Sequence, residues 1–281
     1  MLRTTTKLAL AKYASRWLCF VRGAAGLSNQ VVVTRDGIKW ELDTQEGIDL
    51  AIYLLGMFER ETVMACRRMI KPGDVVLDIG ANIGAHTLQL AKCVGPSGQV
   101  LAFEPTQFAF TKLTRNVRLN PDLESRVVLE QIMLGEISNT SVPDMVYSSW
   151  PLTDESQLHR KHRGRLMTTQ GARACSLDDR LKEAGIQKVN LLKIDVDGHE
   201  CAVLRGAQET LGESRPAIIM EVAPYVLEGP RASLEELCKT LVCQKYQLTE
   251  ISTGKTLPLV AHELEEIVPD GCGMNVIAVP L

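Results

Sequence analysis

Three short motifs combine glycines with acidic or basic side chains at places where predicted strands end. They are DIGANIG (78–84), the acid near the end of VLAFEP (100–105), and KIDVDGHE (193–200). Ligands of open α/β sheets bind outside the carboxyl ends of the strands, so the three motifs are expected to face one cleft. Glycine turns, a hydrogen-bonding acid and candidate proton acceptors in one cleft indicate an enzyme that uses a nucleoside cofactor.

The first motif favours a cofactor without phosphate groups. Gly80 and Gly84 allow the backbone to turn tightly and to approach a ligand closely. In the dinucleotide fingerprint G-x-G-x-x-G, aligned from Gly80, the second and third glycines are replaced by Asn82 and Ala85. Because the middle glycine normally makes room for a pyrophosphate, Asn82 favours a phosphate-free ligand such as S-adenosylmethionine. A tight turn without any ligand is the alternative.

Glu104 belongs to the second motif, about 20 residues after the glycine turn. An acid at that place can accept hydrogen bonds from both ribose hydroxyls of a bound nucleoside. The alternative is a surface carboxylate at a strand end. Combined with the glycine turn, the spacing favours the ribose-binding role.

The third motif contains the candidate proton acceptors. Asp195 follows a predicted buried strand and is expected to face the cleft, and the pKa range of His199 suits proton transfer near neutral pH. Asp197 is predicted to cap the following helix, with Glu200 closing a capping box. Glu200 is also a candidate base beside Asp195 and His199, and the alternative for His199 is a position that faces solvent.

Two charged residues interrupt otherwise apolar strands. Lys193 has the same strand parity as Asp195, and Glu221 lies within AIIMEVA (217–223). Because unpaired buried charges are very costly, Lys193 and Glu221 are predicted to approach each other on neighbouring strands. A metal ion held by Asp195, Glu200 and Glu221 is an alternative, but one acid cluster is weak grounds for it, and we expect no metal.

Alternating apolar runs and helical patterns define the fold class. Runs that are apolar throughout are typical of parallel strands buried on both faces. Their alternation with helices predicts a doubly wound, mostly parallel α/β sheet, with the final run as an antiparallel edge strand. The predicted strands are 75–80, 100–105, 126–134, 190–196, 217–223 and 274–280, and the predicted helices between them are 85–93, 107–119, 200–211 and 233–246.

An N-terminal extension over 1–58 is predicted to precede the main domain, which spans 59–281. Two alternating runs flank Asp36-Gly37, which is a strong signal for a β-hairpin over 30–43. Before the hairpin, the first 35 residues contain no Asp or Glu and include a basic, amphipathic helical pattern. Three roles fit this helix: docking on the domain or on a second subunit, contact with a membrane surface, or targeting.

Composition narrows the setting in which the protein works. The net charge of −3 argues against nonspecific nucleic-acid binding, and no apolar run reaches the roughly 18 residues of a transmembrane helix. Eight cysteines without a CxxC pair favour a reducing, cytoplasmic compartment. The polar stretch 136–175 is predicted to be a lid, a binding loop or a disordered segment. Its basic run, 159–165, is expected either to be a solvated loop or to bind an anionic substrate or a lipid headgroup.

Together, the motifs resemble the FkbM-type branch of class I S-adenosylmethionine-dependent methyltransferases. The resemblance covers roughly 59–246 in the expected order, and the set of motifs is specific although no single motif is. It implies a seven-stranded, Rossmann-like sheet and methylation of a hydroxyl on a sugar, glycolipid or secondary metabolite. The matching segments are VVLDIGANIGAHT (75–87), LAFEPTQFAFTKLTRNVRLN (101–120), SLDD (176–179), LLKIDVDGHECAVLRGA (191–207) and PAIIMEV (216–222).

The resemblance also implies roles for individual residues. Glu104 would hold the ribose of S-adenosylmethionine, and Met133 and Leu134 would flank its adenine. Asp197 departs from the family, where Glu is frequent at that place, which puts a catalytic role for it in doubt. The other residues expected to bind the cofactor are Asp78, Gly80, Ala81, Asn82, Gly84, Thr87, Pro105 and Asp195.

Two other functions fit the same sheet. A nucleotide-dependent oxidoreductase is disfavoured by Asn82 and by the long segment before the glycine turn, and a binding protein without catalysis is disfavoured by the intact motifs. The expected partners are therefore S-adenosylmethionine and a small-molecule or glycan acceptor, without nucleic acid. Peripheral membrane contact and a homodimer stay open.

Overall fold

The N-terminal segment begins with a helix and a β-hairpin. The computed structural model describes residues 4–148, 150–152, 158–159, 164–227 and 231–281. Its first elements are α1 (Thr4–Ala24), β1 (Gln30–Arg35), β2 (Ile38–Asp43) and α2 (Gly47–Leu55). The predicted hairpin is confirmed, because β1 and β2 pair antiparallel around Asp36 and Gly37. Both turn residues have positive φ angles, 50° and 73°, which a two-residue hairpin turn requires.

Strands and helices then alternate along the rest of the chain. The first half contains α3 (Arg60–Met69), β3 (Val75–Ile79), α4 (Thr87–Val94), β4 (Gln99–Phe103), α5 (Gln107–Arg118), α6 (Pro121–Glu124), β5 (Val127–Glu130), β6 (Ile132–Gly135), β7 (Met145–Ser148), β8 (Arg165–Thr168) and β9 (Arg173–Ser176). The second half contains α7 (Leu177–Ala184), β10 (Leu191–Ile194), α8 (Glu200–Arg205), α9 (Gln208–Glu213), β11 (Ala217–Val222), α10 (Leu234–Cys243), β12 (Tyr246–Glu250), β13 (Thr256–Leu257), α11 (Ala261–Ile267) and β14 (Met274–Pro280).

Within the described residues, the main sheet has eight strands in the order β13-β12-β14-β11-β10-β3-β4-β5. The five strands β11, β10, β3, β4 and β5 run parallel. The strand order reverses between β3 and β10, which is the place where open α/β sheets bind ligands. The predicted doubly wound, mostly parallel class I sheet is confirmed, with eight strands instead of seven because the short β13 extends one edge.

Both faces of the main sheet are covered by apolar side chains. Leu77 and Ile79 of β3 enter one hydrophobic cluster, and Val76, which precedes Leu77, enters the other. The second cluster includes Trp40 of the hairpin, which is fully buried. The hairpin of the predicted extension therefore shares a hydrophobic core with the predicted main domain.

Two predicted elements are divided where the chain changes its partner. The run 126–134, predicted as one strand, splits into β5 in the main sheet and β6, which pairs parallel with β9. The helix predicted over 200–211 splits into α8 and α9 around Gly206, where a Cβ would lie 2.0 Å from the carbonyl oxygen of Gly135. The hydrophobic pattern of the sequence predicts neither division, because apolar side chains lie on both sides of each break and the pattern is the same whichever segment they pack against.

The final strand is not at the edge of the sheet. The predicted antiparallel direction of β14 is confirmed, but β14 lies between β11 and β12. The edge position was wrong because β12 and β13, which the apolar runs do not predict, pair beyond it. Leu248 of β12 is opposite Ala278 of β14.

The stretch 136–175, predicted as a lid, binding loop or disordered segment, contains three short strands. β7 and β8 form an antiparallel hairpin, and β9 pairs with β6. Residues 149, 153–157 and 160–163 lie outside the described part of the chain, so most of the basic run 159–165 does too.

Helix α1 docks on its own domain, as one of the three predicted roles requires. The Ser15 hydroxyl donates to the carbonyl oxygen of Thr44 at 2.8 Å, and Arg22 donates to the Tyr53 hydroxyl at 3.3 Å. Neither α1 nor any other helix in the described ranges is long and apolar enough to cross a membrane.

A substitution in the hairpin tests whether it belongs to the common core. Trp40→Ala is expected to lower the free energy of unfolding by about 3–5 kcal/mol, because it removes a fully buried side chain. Urea unfolding followed by circular dichroism measures the change. The matched control is Val32→Ala on the exposed side of β1, with an expected change below about 1 kcal/mol. Equal small losses for both variants would show that the hairpin does not stabilise the domain.

Candidate active site

The three sequence motifs converge on one cavity at the carboxyl edge of the parallel strands. The cavity has a volume of about 450 Å³. The predicted site residues that line it are Gly80, Asn82, Glu104, Pro105, Met133, Leu134, Asp195 and His199, and Asp197 lines it as well. Asp78, Ala81, Gly84, Thr87 and Glu200 are not among the lining residues.

Gly80 stands where two strand ends approach each other closely. Its φ angle is 81°, and a Cβ there would lie 1.9 Å from the carbonyl oxygen of Asp195. No side chain larger than hydrogen fits without moving the backbone after β10. Asn82 also has a positive φ, 47°, and its backbone N–H donates a hydrogen bond to Glu104 Oε2 at 3.0 Å. The glycine turn is therefore fixed against both neighbouring strand ends.

Glu104 is buried, and neighbouring protein groups already donate hydrogen bonds to most of the acceptor positions of its carboxylate. Oε1 accepts hydrogen bonds from the amide and the hydroxyl of Thr106 at 2.9 and 2.5 Å, and Oε2 accepts one from Asn82. A carboxylate has about four acceptor positions, so about one is free, at Oε2. That position can serve one ribose hydroxyl directly, whereas the sequence predicted contacts with both. Burial raises the pKa of Glu104, and the hydrogen bonds from Thr106 and Asn82 oppose the shift.

Lys193 connects the ends of β3 and β10 by charge. Its buried ammonium lies 3.3 Å from Asp78 Oδ1 and 3.4 Å from Asp195 Oδ2, and it donates to the Gly80 carbonyl at 3.4 Å. Burial alone would lower the pKa of Lys193, but the carboxylates of Asp78 and Asp195 outweigh burial and raise it. The lysine therefore stays charged and holds Asp195 at the cavity.

The prediction that Lys193 pairs with Glu221 is wrong. Among the described residues, the ion pairs of Lys193 are with Asp78 and Asp195, not with Glu221. Burial and the nearby charge of Asp195 raise the pKa of Glu221 to about 8. A carboxyl that is protonated at neutral pH needs no cation, which explains how Glu221 is accommodated without one.

Asp78 and Thr87 act beneath the cavity. The Thr87 hydroxyl donates to Asp78 Oδ2 at 2.6 Å, while Oδ1 of the same carboxylate faces Lys193. Both side chains are fully buried. Their contribution to the site is to hold the strand end and Lys193 in place.

The turn before α8 differs from the predicted capping box. The N-cap of α8 is His199, not Asp197, and Asp197 has a left-handed φ of 47°. Glu200 Oε1 accepts hydrogen bonds from the amides of Val196 and Gly198 at 3.3 and 3.2 Å. Glu200 therefore stabilises the turn from inside it, which favours a structural role over the predicted role as a base.

Three candidate proton acceptors line the cavity. Asp195 is engaged by Lys193, and burial, together with the charges of Asp195 and Glu200, raises the pKa of Asp197 well above its ordinary value. His199 lines the cavity while remaining exposed to solvent. Desolvation lowers the pKa of His199, so its imidazole is neutral at pH 7 and able to accept a proton. Of the three, His199 has the protonation state and access that a base needs.

Sequence reasoning missed an aromatic wall of the cavity. Tyr147, Trp150 and His159 line the cavity, as does Ile48. Trp150 lies in the long polar stretch 136–175, where no local pattern places it at the site. The wall is anchored to the segment before α2, because Gly47 donates to the Trp150 carbonyl at 2.9 Å.

A second missed feature supports this wall from behind. The buried His86 lies 3.3 Å from the Glu59 carboxylate and meets the Phe58 ring edge-on. The Phe58 and Trp150 ring centroids are 6.2 Å apart. Since His86 and Phe58 are distant in the chain, their contact had no sequence signal.

The cavity fits S-adenosylmethionine in shape and polarity. Phe103, Ile132, Met133 and Leu134 line an apolar part suited to adenine. Glu104 offers its free acceptor position to the ribose, and Gly80, Asn82 and Asp195 line the cavity where the amino-acid part would lie. In the described ranges, no group of three His, Cys, Asp or Glu side chains is arranged to hold a metal ion.

Known proteins share the motifs that build this cavity. A family model described as the methyltransferase FkbM domain matches residues 78–247, which is more than half of the chain. Methyltransferase sdnD of Sordaria araneosa is 26% identical over 185 residues, which cover 58% of this chain and 70% of that protein. Hexuronic acid methyltransferase AglP of Haloferax volcanii is 27% identical over 168 residues, covering 58% of this chain and 62% of AglP.

Two further proteins extend the comparison. The 31-O-demethyl-FK506 methyltransferase FkbM of Streptomyces tacrolimicus is 30% identical over 165 residues, covering 50% of this chain and 62% of that enzyme. The chain thus spans less than two thirds of this relative and of AglP. The crystal structure of methyltransferase FkbM from Methylobacillus flagellatus aligns with a TM-score of 0.45 and 16% identity, covering 79% of this chain and 56% of that one.

The match to this methyltransferase family confirms the expected cofactor, S-adenosylmethionine, and the expected class of enzyme. The oxidoreductase and the binding protein without catalysis are not favoured by any of these relatives. With its motifs gathered in one cavity and its sequence matched from Asp78 to Gln247, the chain belongs to the FkbM family of S-adenosylmethionine-dependent methyltransferases.

Proposed function

We propose that this protein transfers the methyl group of S-adenosylmethionine to a hydroxyl oxygen of a small-molecule or glycan acceptor, with His199 as the general base. The supporting observation is the single cavity that joins the glycine turn, Glu104 and His199. AglP is named for a hexuronic acid, and the Streptomyces enzyme for an oxygen of FK506. The first name supports a sugar acid as the kind of acceptor, and the second supports oxygen as the atom that is methylated.

The chemistry follows from what each side of the cavity offers. When bound, S-adenosylmethionine supplies a methyl group that its positively charged sulfur activates. An alcohol is a weak nucleophile, so a base that takes its proton accelerates the reaction by about 10²–10⁴-fold. His199 accepts that proton from the acceptor hydroxyl, and Asp195 lies in the same cavity.

The aromatic wall is the proposed place for the acceptor. Tyr147, Trp150 and His159 line the same cavity as the apolar residues proposed for adenine and are not needed to hold the cofactor in this proposal. Planar rings exclude water from the reacting oxygen and restrict the orientation of a bound ring or chain. Tyr147 belongs to the β7–β8 hairpin. Arg165 of β8 lies 3.5 Å from the carboxylate of Glu46, and this ion pair holds the hairpin against the segment before α2.

We also propose that the enzyme works in a reducing compartment such as the cytoplasm. All eight cysteines are free thiols, and five of them are buried in the core. Buried thiols that act as small apolar side chains are consistent with this setting.

Removing the acid at the ribose position should weaken cofactor binding. Glu104→Gln is expected to raise the Kd of S-adenosylmethionine at least about tenfold, because it replaces a charge-assisted hydrogen bond with a neutral one. Isothermal titration calorimetry measures the affinity, and thermal unfolding checks that the turn at Asn82 is intact. Glu124→Gln, at an exposed acid of α6, is the control. Unchanged affinity in a folded Glu104→Gln protein would reject the ribose assignment.

Replacing the proposed base should reduce turnover without affecting cofactor affinity. His199→Ala is expected to lower kcat by about 10²–10⁴-fold, with the Kd of S-adenosylmethionine unchanged. Labelled cofactor and fractionated cell extract first identify an acceptor, and radiometric transfer then gives kcat. His262→Ala, at an exposed histidine of α11, should behave like the wild type. A fully active His199→Ala enzyme would show that His199 is not the general base.

The pH dependence provides an independent test of the base. Because desolvation lowers the pKa of His199, the neutral form persists below the ordinary histidine pKa of about 6.5. The rate should therefore be constant down to about pH 6.5 and fall in proportion to the neutral fraction at lower pH. His199→Ala should lose this acid limb. An identical limb in the variant would assign the titration to another group.

A further inference from the structure

The outer face of α1 carries a continuous apolar stripe. Leu10, Tyr13, Trp17 and Phe20 recur every three or four residues, so they lie along one side of the helix. These four side chains are 62–76% exposed. Single exposed apolar residues are ordinary on protein surfaces, but a contiguous patch of large ones indicates an interaction surface.

The opposite side of the helix is already occupied by the domain. Ser15 is buried against Thr44, and Cys19 and Arg22 lie on the same inward side. Since these contacts fix the rotation of α1 about its axis, the stripe is held facing outward.

Two further exposed apolar residues follow the contact between α1 and α2. Arg22, at the end of α1, donates to the hydroxyl of Tyr53 in α2, which brings the two helix ends together. Leu54 and Leu55 follow Tyr53 directly, and both are more than half exposed.

The exposed charged residues of α1 itself are of one sign. Lys7 and Arg16 are exposed on α1, and the first 35 residues contain no acidic residue. Two copies of the chain packed through this face would bring basic residues against basic residues, which disfavours self-association. Anionic lipid headgroups complement the charge, and tryptophan and tyrosine prefer the boundary between headgroups and acyl chains.

We propose that α1 lies flat on an anionic lipid bilayer, with Leu10, Tyr13, Trp17 and Phe20 in the boundary between headgroups and acyl chains. Lys7 and Arg16 lie at the level of the lipid phosphates. A helix that is apolar on one side and basic beside it binds a membrane surface without crossing it. This docking does not depend on the methyl-transfer reaction.

Co-sedimentation of the full chain with vesicles tests the proposal. The wild-type protein is expected to pellet with vesicles of phosphatidylcholine and phosphatidylserine, and far less with vesicles of phosphatidylcholine only. Raising the salt concentration should weaken the binding, because it screens the attraction of basic residues to the anionic surface. A wild-type protein that stays in the supernatant with anionic vesicles would overturn the proposal.

Variants separate the apolar contribution from the charged one. The double variant Trp17→Ser/Phe20→Ser should lower the partition coefficient at least about tenfold, and Arg16→Glu should lower it at least about fivefold. Val242→Ser, at an exposed apolar residue of α10, is the control and should bind like the wild type. Wild-type binding by both α1 variants would assign the vesicle contact to another surface.

Sedimentation equilibrium without lipid distinguishes the bilayer from a second copy of the chain. A monomeric wild type that binds vesicles supports the proposal. A dimer that Trp17→Ser/Phe20→Ser makes monomeric would instead identify the stripe as a self-interface and overturn it. Thermal unfolding and S-adenosylmethionine affinity, which this docking leaves unchanged, check that each variant is folded.

Discussion

The buried ammonium of Lys193 is the interaction on which the active-site edge of the sheet depends. It lies between the carboxylates of Asp78 and Asp195 and also bonds the Gly80 carbonyl, so one charge joins the ends of β3 and β10. These two strands flank the point where the strand order reverses. Unpaired, each of these buried charges would cost several kcal/mol, by order of magnitude. The single ammonium compensates part of the charge of the two carboxylates and leaves Asp195 facing the cavity.

The close backbone approach at Gly80 makes the same edge rigid in a second way. The turn is packed against the Asp195 carbonyl, and the Asn82 amide bonds the Glu104 carboxylate, so three strand ends are locked together before any ligand binds. Catalytic groups contribute most when they are held in place in advance. Glu104 therefore has two functions: it organises the turn with most of its acceptor positions and offers the last one to the cofactor.

The acceptor side of the cavity is built from segments that lie outside the regular alternation of strands and helices. Trp150 reaches the site from the long stretch after β6 and is anchored to Gly47, while Phe58 and His86 support it from behind. In the proposed function, acceptor specificity would therefore depend on loops, whereas cofactor binding would depend on the sheet. The proposed membrane face of α1 belongs to the same peripheral layer, since α1 packs on the segment around Thr44 that precedes α2.

Local chemistry made much of this protein predictable from its sequence. The Asp36-Gly37 hairpin, the parallel strands and the three cofactor motifs depend on neighbouring residues and on burial, both of which leave a pattern in the chain. Tertiary structure alone decided that Lys193 pairs with Asp78 and Asp195 and not with Glu221, that β14 is interior, and that Trp150 reaches the cavity. Those outcomes depend on which distant segments come into contact, and a hydrophobic pattern records that a side chain is buried without recording its neighbour.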